Sequence, residues 1–563
     1  MRSLETLCLL VLTFITIIYG NTQINTKYGI IEGFEYISET GKKYNIFLGI
    51  PYAKPPKPVE PDNWEEIKLA KKYRAQCLQI KREDIFLETS EDCLFLNVIQ
   101  PKRKNNNNKL LPVLVWIHGG GYAVGSSNLY NYKNLINSFA NREIIVVTIN
   151  YRLGILGFPS LGDKTMPGNY GYWDQRLALK FIYENIKNFD GDHSKITIFG
   201  LSAGAGSVGA LSISPHSRDY IYKVIEMSGS TLSNWALGDN EVIKSTKEIS
   251  NAVNCSQTDN ESIKECLKTK SIEEFLDGIE EVGSSLDDIS LLKFKPYFDN
   301  DFFPKPIEEL IKESPKIPTY IGFTYVEGLF FTLLGLSKSI NTIYINPTDF
   351  ENYDRLKFTE DVKKLVSTKK RYGENYLKVT EEVVEFYVNE AIKKEPQLNY
   401  KTYLTAYTQL ASDLIIGIST LWEAEMKANL GWPIWLYYNT HFNPNQYNRS
   451  LPSQGATHGN EYPYMFMINF FGKFEWNIKD KLYYDNLVQS ITNFVKFDSP
   501  STDNFEWKRL TQSDNEYLEM NDKPSMEKNL LKNVSDFWKY IRDKYNYDII
   551  SDVPYVKNKN TEL

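Results

Sequence analysis

The stretch Lys195-Ile196-Thr197-Ile198-Phe199-Gly200-Leu201-Ser202-Ala203-Gly204 decides how this chain is read. Its first half is β-branched and aromatic and reads as a buried strand. Its second half is a Gly-x-Ser-x-Gly pentapeptide, followed by the small-residue run Ala205-Gly206-Ser207-Val208-Gly209-Ala210. Glycines at that spacing let a strand turn sharply into a helix and leave the serine pointing outward at the helix N-terminus. The pentapeptide alone is an ordinary Gly/Ser turn in most chains, and it is the strand directly before it that makes Ser202 a candidate nucleophile.

Further apolar runs, bounded by turn residues, lie at 112–118, 144–150, 223–227, 319–324 and 433–438. Their near-continuous apolarity fits strands buried on both faces. Between them run helical patterns, such as residues 174–189, where Leu177, Phe181, Ile182, Ile186 and Phe189 share one stripe. Strand and helix in alternation predict an α/β fold with a mostly parallel central sheet, covered by helices on both faces. The chemistry of such a sheet sits beyond the carboxyl ends of its strands. No internal repeat and no Pro/Gly/Ser linker divides the chain; the loop 102–109, with Asn105 to Asn108, is its one low-complexity patch. The simplest parse is one catalytic domain over 21–553, with a C-terminal tail at 554–563.

A serine hydroxyl attacks a carbonyl only with a base of near-neutral pKa to take its proton, which makes histidine the default. In the α/β-hydrolase fold the order is Ser, then Asp or Glu, then His. That order sets aside His118, His193 and His216 and leaves His441 and His458. His458, in Gly455-Ala456-Thr457-His458-Gly459-Asn460, is favoured because flanking glycines let a loop present the ring at the sheet's edge. His441, immediately after the 433–438 run, reads as a surface or structural histidine. The acid that orients the base should end a strand between Ser202 and His458; Glu327, after 319–324 and before Gly328, is the best placed of several acids. The oxyanion needs preorganised N–H groups. Three consecutive glycines, Gly119-Gly120-Gly121, offer them after the 112–118 run, and Ala203, following the nucleophile, offers another. No Gly-Lys-Ser/Thr follows the glycines, so they are not a phosphate cradle. No Cys/His/Asp/Glu cluster has metal-ligand spacing, and neither metal nor cofactor is implied.

With 64 basic and 71 acidic residues the formal charge is −7, and no basic run exceeds Lys102-Arg103-Lys104, so nucleic acid is not an expected partner. Residues 1–20 have the anatomy of a secretory signal: Arg2, an apolar stretch from Leu7 to Tyr19, then Gly20 and a polar Asn21-Thr22-Gln23. No later segment is long and apolar enough to span a bilayer. Once Cys8 leaves with the signal, Cys77, Cys93, Cys255 and Cys266 remain for an oxidising compartment, and pairing near neighbours gives Cys77–Cys93 and Cys255–Cys266. Asn254, Asn260, Asn448 and Asn533 open glycosylation sequons. A secreted protein is expected, with retention in a lumen as the alternative, because Asn560-Thr561-Glu562-Leu563 ends like a retention tetrapeptide without its usual basic residue.

Taken together these motifs resemble the type-B carboxylesterase and cholinesterase family. The matching blocks include Leu48-Gly49-Ile50-Pro51-Tyr52-Ala53, Ser90-Glu91-Asp92-Cys93-Leu94, Asn150-Tyr151-Arg152-Leu153-Gly154 and Met227-Ser228-Gly229-Ser230, in order over most of residues 25–500. The resemblance implies an α/β-hydrolase fold and a serine ester hydrolase acting through an acyl-enzyme. It places Ser202, Glu327 and His458 as triad and Gly120, Gly121 and Ala203 as oxyanion hole. Trp235 falls where an acyl-pocket tryptophan stands, and both cysteine pairs fall where members have disulfides. Two departures bear on substrate. Leu201 stands where members usually carry Glu, and Glu83 stands where cholinesterases carry the Trp that receives a quaternary ammonium. Both favour a neutral ester over a choline ester. The alternative within the same family is a catalytically silent adhesion protein, although such members typically lose the nucleophile.

Overall fold

The computed structural model describes residues 21–556 except 56–58, 80–87, 104–108, 239, 257, 284, 336–341, 395, 448–450 and 513–514. The expected signal segment, Glu83, Asn448 and the terminal Asn560 to Leu563 therefore lie outside the described residues.

Twelve strands form one path: β1 (Asn21–Thr26), β2 (Gly29–Ile37), β3 (Lys43–Pro51), β4 (Phe95–Pro101), β5 (Leu111–Ile117), β6 (Ile145–Ile149), β7 (Gly191–Leu201), β8 (Lys223–Met227), β9 (Thr319–Thr324), β10 (Ile434–Asn439), β11 (Glu516–Met520) and β12 (Ser525–Lys528). Their order across the sheet is β1-β2-β3-β4-β6-β5-β7-β8-β9-β10-β11-β12, with the two-residue strand Lys68–Leu69 added beside β2. Every pairing from β6 through β11 is parallel. Antiparallel strands close both edges. The six apolar runs read from sequence are β5 to β10. All residues of β6, β8, β9 and β10 are buried, as strands covered on both faces must be.

Two boundaries differ from expectation. β7 begins at Gly191 rather than Lys195, because Gly191 pairs with Leu111 ahead of an irregularity that ends at Ile196. The polar Asp192, His193 and Ser194 of that irregularity masked the strand. The helix expected at 174–189 runs as Tyr170–Asn185 and tightens into a 3-10 turn, Ile186–Phe189.

Alternation along β5 divides the core. Val113, Val115 and Ile117 pack in one cluster with Leu177, Phe181, Val208 and Leu211 from helices on one face. Leu114 and Trp116 pack in another with Leu135, Ile136, Leu487 and Ile491 from helices on the other. Buried Arg152 donates from Nε and Nη2 to the two carboxylate oxygens of buried Asp174, at 2.8 and 2.7 Å. This fastens the segment after β6 to the helix Tyr170–Asn185; a paired, fully hydrogen-bonded geometry is what makes burying such charges tolerable. Both expected disulfides, Cys77–Cys93 and Cys255–Cys266, are formed. Among the described residues no helix is long and apolar enough to cross a membrane.

Parallel register brings the carboxyl ends of the central strands level. Ile117 lies beside Gly200, Leu201 beside Met227, Met227 beside Gly322 and Gly322 beside Tyr437. The segments that follow these ends carry the polar groups of the site.

Candidate active site

Ser202 follows β7 and caps the helix Ala203–Ile213 with φ 62° and ψ −126°. A non-glycine residue there costs about 1–3 kcal/mol and persists only where surrounding structure enforces it. The enforcing contacts are visible. The Ser202 N–H donates to the Met227 carbonyl at 2.9 Å, and its own carbonyl accepts from the Gly206 N–H at 3.0 Å. The motif glycines allow the close approach: a Cβ on Gly204 would stand 2.2 Å from the Ile117 carbonyl oxygen, and one on Gly200 2.4 Å from the Gly204 backbone.

His458 sits on the loop after β10 and is buried beside Glu327, which follows β9 and is fully buried. The ring Nδ1 and Glu327 Oε2 are 2.6 Å apart. The other carboxylate oxygen, Oε1, accepts from the Thr324 N–H and from the Ser228 hydroxyl, each at 2.6 Å. Three hydrogen bonds on one carboxylate hold it in a single orientation. Ser228 gains its reach from a left-handed backbone, φ 52°. It was visible in sequence only as part of a matching block, with no role attached. His441 is brought to a different partner: its Nε2 lies 2.9 Å from Asp480 and its ring stacks on Tyr483, with centroids 4.3 Å apart. It is buried, which sets aside a surface histidine and leaves the structural one.

Ser202 and His458 line one cavity of about 150 Å³ together with Gly119, Gly120, Gly121 and Trp235. The glycine run after β5 is shaped by contact. Gly120 has φ 118° and lies so close to the Val124 carbonyl that a Cβ would stand 2.0 Å from its oxygen. The run is braced by His118, whose Nδ1 meets the Gly119 carbonyl at 2.9 Å while its ring stacks on Tyr151. Burial pushes the pKa of His118 down to about 4, so the ring is neutral and serves as scaffold.

The rest of the cavity wall is mostly apolar: Val124, Leu201, Leu291, Leu292, Ile415 and Ile416, with Phe330, Phe331, Gly459, Tyr462 and Phe470 completing it. The rings of Phe330 and Phe331 lie 5.4 and 5.1 Å from that of His458. Among the described residues lining the cavity there is no Asp, Glu, Lys or Arg. Sequence reasoning found Trp235 and Leu201 but missed the phenylalanines, whose stretch carries no pattern beyond two adjacent aromatics. Glu461, one turn beyond His458, is a second buried carboxyl at this end of the sheet. Its pKa is pushed up to about 8, by burial first and then by the charge of Glu327. Tyr437 donates a hydroxyl to its Oε1 at 3.3 Å. Among the described residues no cluster of His, Cys, Asp and Glu has the makings of a metal site.

A serine at a strand-to-helix elbow and a histidine held on a carboxylate thus line one cavity at the carboxyl ends of a parallel α/β sheet. The chain belongs to the carboxylesterase family, whose sequence model matches residues 20–538, and it is an ester hydrolase of the α/β-hydrolase fold. It is similar to gut esterase 1 of Caenorhabditis elegans, at 36% identity over 94% of each chain. It also resembles esterase FE4 of Myzus persicae, at 32% identity over 88% of this chain and 87% of that one. Bile salt-activated lipase of Bos taurus matches at 30% identity over 92% of this chain and 87% of that one.

Proposed function

We propose that the protein hydrolyses neutral carboxylic esters with Ser202 as nucleophile, His458 as general base and Glu327 as the orienting acid. The observation that carries this reading is the 2.6 Å contact of His458 Nδ1 with Glu327, which leaves Nε2 free to serve the serine lining the same cavity. His458 takes the Ser202 proton as Oγ attacks the ester carbonyl. The N–H groups of Gly120, Gly121 and Ala203 hold the oxyanion. His458 then delivers the proton to the departing alkoxide, and water repeats the sequence on the acyl-enzyme. Glu327 keeps the imidazole tautomer and stabilises the imidazolium. The chemistry needs neither metal nor cofactor.

Neutral substrates follow from the wall. With no carboxylate among the described residues lining the cavity, and Leu201 rather than an acid beside the nucleophile, a quaternary ammonium would lose its hydration without an ionic partner there. Trp235 limits the acyl group in this reading, which is supported by its position in the cavity wall, where its indole N–H is held by the Ile415 carbonyl at 2.5 Å. The reading includes one catalytic unit over 21–553 following a cleaved signal at 1–20, with which the two disulfides are consistent. Among the described sequons, Asn254 and Asn533 are exposed, whereas the Asn260 amide donates to Asp163 at 2.8 Å. Glycans are therefore expected at the first two before the third.

The test is turnover of p-nitrophenyl acetate and butyrate beside acetylthiocholine by the purified mature chain. Activity on the first two with little on the third supports the reading. Strong acetylthiocholine turnover would remove the neutral-ester part of it.

A further inference from the structure

The segment 285–292 turns back on itself beside the cavity and carries Leu291 and Leu292 into its wall. Leu292 reaches the backbone of the glycine run: its Cδ2 would be 3.2 Å from a Cβ built on Gly121. Leu291 holds φ 60°, a left-handed conformation that a branched apolar residue disfavours. Local hydrogen bonds close the turn, from Leu286 N to Leu291 O at 2.9 Å and from Leu291 N to Asp288 O at 3.0 Å. A turn built on a leucine in this conformation is held from outside: at the surface Thr342 Oγ1 donates to the Leu286 carbonyl at 2.8 Å and Lys364 lies 3.2 Å from Asp287, and a buried hold comes from a distant part of the chain.

That hold is Arg371. Its side chain is 4% exposed, and its Nη2 donates to Asp288 Oδ1 at 2.8 Å, while Asp288 Oδ1 also accepts from the Ser290 N–H at 3.0 Å. Its Nε donates to Asp552 Oδ1 at 2.7 Å, and Nη1 donates to the Leu365 carbonyl at 2.8 Å. Asp552 belongs to the small C-terminal hairpin that pairs Tyr547–Asp548 with Val553–Pro554, and it also accepts from the Tyr547 hydroxyl at 2.8 Å. A planar guanidinium with several fixed donors suits such a junction as a lysine would not. The mechanism above gives Arg371 no role, for it touches neither the cavity nor the triad.

We propose that Arg371 is a positioning residue for substrate selectivity. By joining Asp288 to Asp552 it fixes the turn that carries Leu291 and Leu292, and so sets the width of the pocket where Leu292 meets Gly121. His458 must protonate the departing alcohol, so the alcohol lies toward Phe330 and Phe331 and the acyl chain lies toward this turn. The substrate class that follows is an ester whose acyl chain is limited by a wall held from outside the pocket. The C-terminal hairpin takes part in acyl selection without touching substrate.

The inference rests on the ester-hydrolase reading, and its test separates the two. Arg371→Met, Arg371→Lys and Asp288→Asn are compared with wild type on p-nitrophenyl acetate, butyrate and hexanoate, with amide hydrogen exchange of 285–292 followed in parallel. The expected result for Arg371→Met is a rise of about five- to tenfold in the hexanoate-to-acetate ratio of kcat/KM, carried mainly by KM, the scale that one or two methylenes command in an apolar pocket. The Leu286 and Leu291 amides should exchange faster, and Arg371→Lys should fall between wild type and Met. Folded variants with the wild-type ratio and wild-type exchange overturn the inference. If Arg371→Met does not fold, Arg371→Lys and Asp288→Asn decide it by the same two readouts. Should wild type turn over none of the esters, the catalytic reading fails, and the exchange arm still decides whether Arg371 fixes the turn.

Discussion

Ser228 illustrates what a single residue does here that no local pattern announces. Its hydroxyl and Glu327 are 99 positions apart in sequence and 2.6 Å apart in space. Replacing Ser228 with Ala removes one of three hydrogen bonds to a buried carboxylate, a loss of about 1.5–3 kcal/mol in an interaction with a charged group. Only part of that reaches the transition state, so kcat on p-nitrophenyl butyrate should fall about tenfold with KM nearly constant; an unchanged kcat would show that Thr324 N–H and His458 suffice to fix the acid. Gly204 tests the elbow by sterics. Gly204→Ala would press a methyl onto the Ile117 carbonyl at 2.2 Å and should destabilise the fold by about 2–3 kcal/mol in denaturant unfolding. The residue scale also shows how much of the site was legible. Ser202 could be read because its strand, turn and helix are consecutive. Glu327 was only the best placed of several acids, because its partner His458 lies 131 positions away. Phe330 and Phe331 gave no signal, and Ser228 none beyond its place in a matching block, since what they do depends on contacts that sequence spacing does not contain.

At the scale of elements, the central strands were legible because burial on both faces makes them uniformly apolar. β1 to β4 were not, for two physical reasons. At the sheet's edge β1 alternates exposed with half-buried positions and β2 is mostly half-buried, with only Ile31 and Gly33 buried, which gives no continuous run. β4 is buried along its whole length yet contains Asn97 and Gln100, whose polarity disguises it. The Asn97 amide donates to Ser127 and Thr148 and its carbonyl accepts from the Gly49 N–H, so burial carries no desolvation deficit. The cysteine pairs were legible because each is short in sequence. Cys255–Cys266, separated by 11 residues, ties the segment after the helix Asn240–Ala252 to the helix Asn260–Leu267. Replacing both cysteines with Ala should cost about 3 kcal/mol on the loop-entropy account. The thermal midpoint should drop while the esterase activity of the folded protein at 25 °C stays near wild type. A large loss of activity without unfolding would mean that this peripheral pair reaches the pocket.

At the scale of the whole molecule, several ionisable groups are buried against their ordinary preference, and pH exposes the cost. Glu461 has its pKa raised from 4.5 to about 8. A carboxyl raised in the folded state contributes its stability in full below the unfolded value, near 4.5, and loses it as pH rises through about 8. At roughly 1.4 kcal/mol per pKa unit the loss amounts to a few kcal/mol at most. Glu461→Gln keeps an acceptor for Tyr437 and cannot ionise, so between pH 5 and pH 8 its thermal midpoint should decline less steeply than that of wild type. Parallel curves would contradict the assignment. His118 works in the opposite sense: lowered to about 4, it adds stability that is lost as pH falls from 6.5 toward 4.

The measurement that reaches the central claim most directly is covalent labelling with a fluorophosphonate, which reacts only with a serine activated by its base. The tryptic peptide containing Ser202 should carry the label, His458→Ala should abolish it, and labelling should proceed in step with loss of p-nitrophenyl butyrate hydrolysis. Hydrolysis that survives complete labelling of Ser202, or a label found on another serine, would contradict the account.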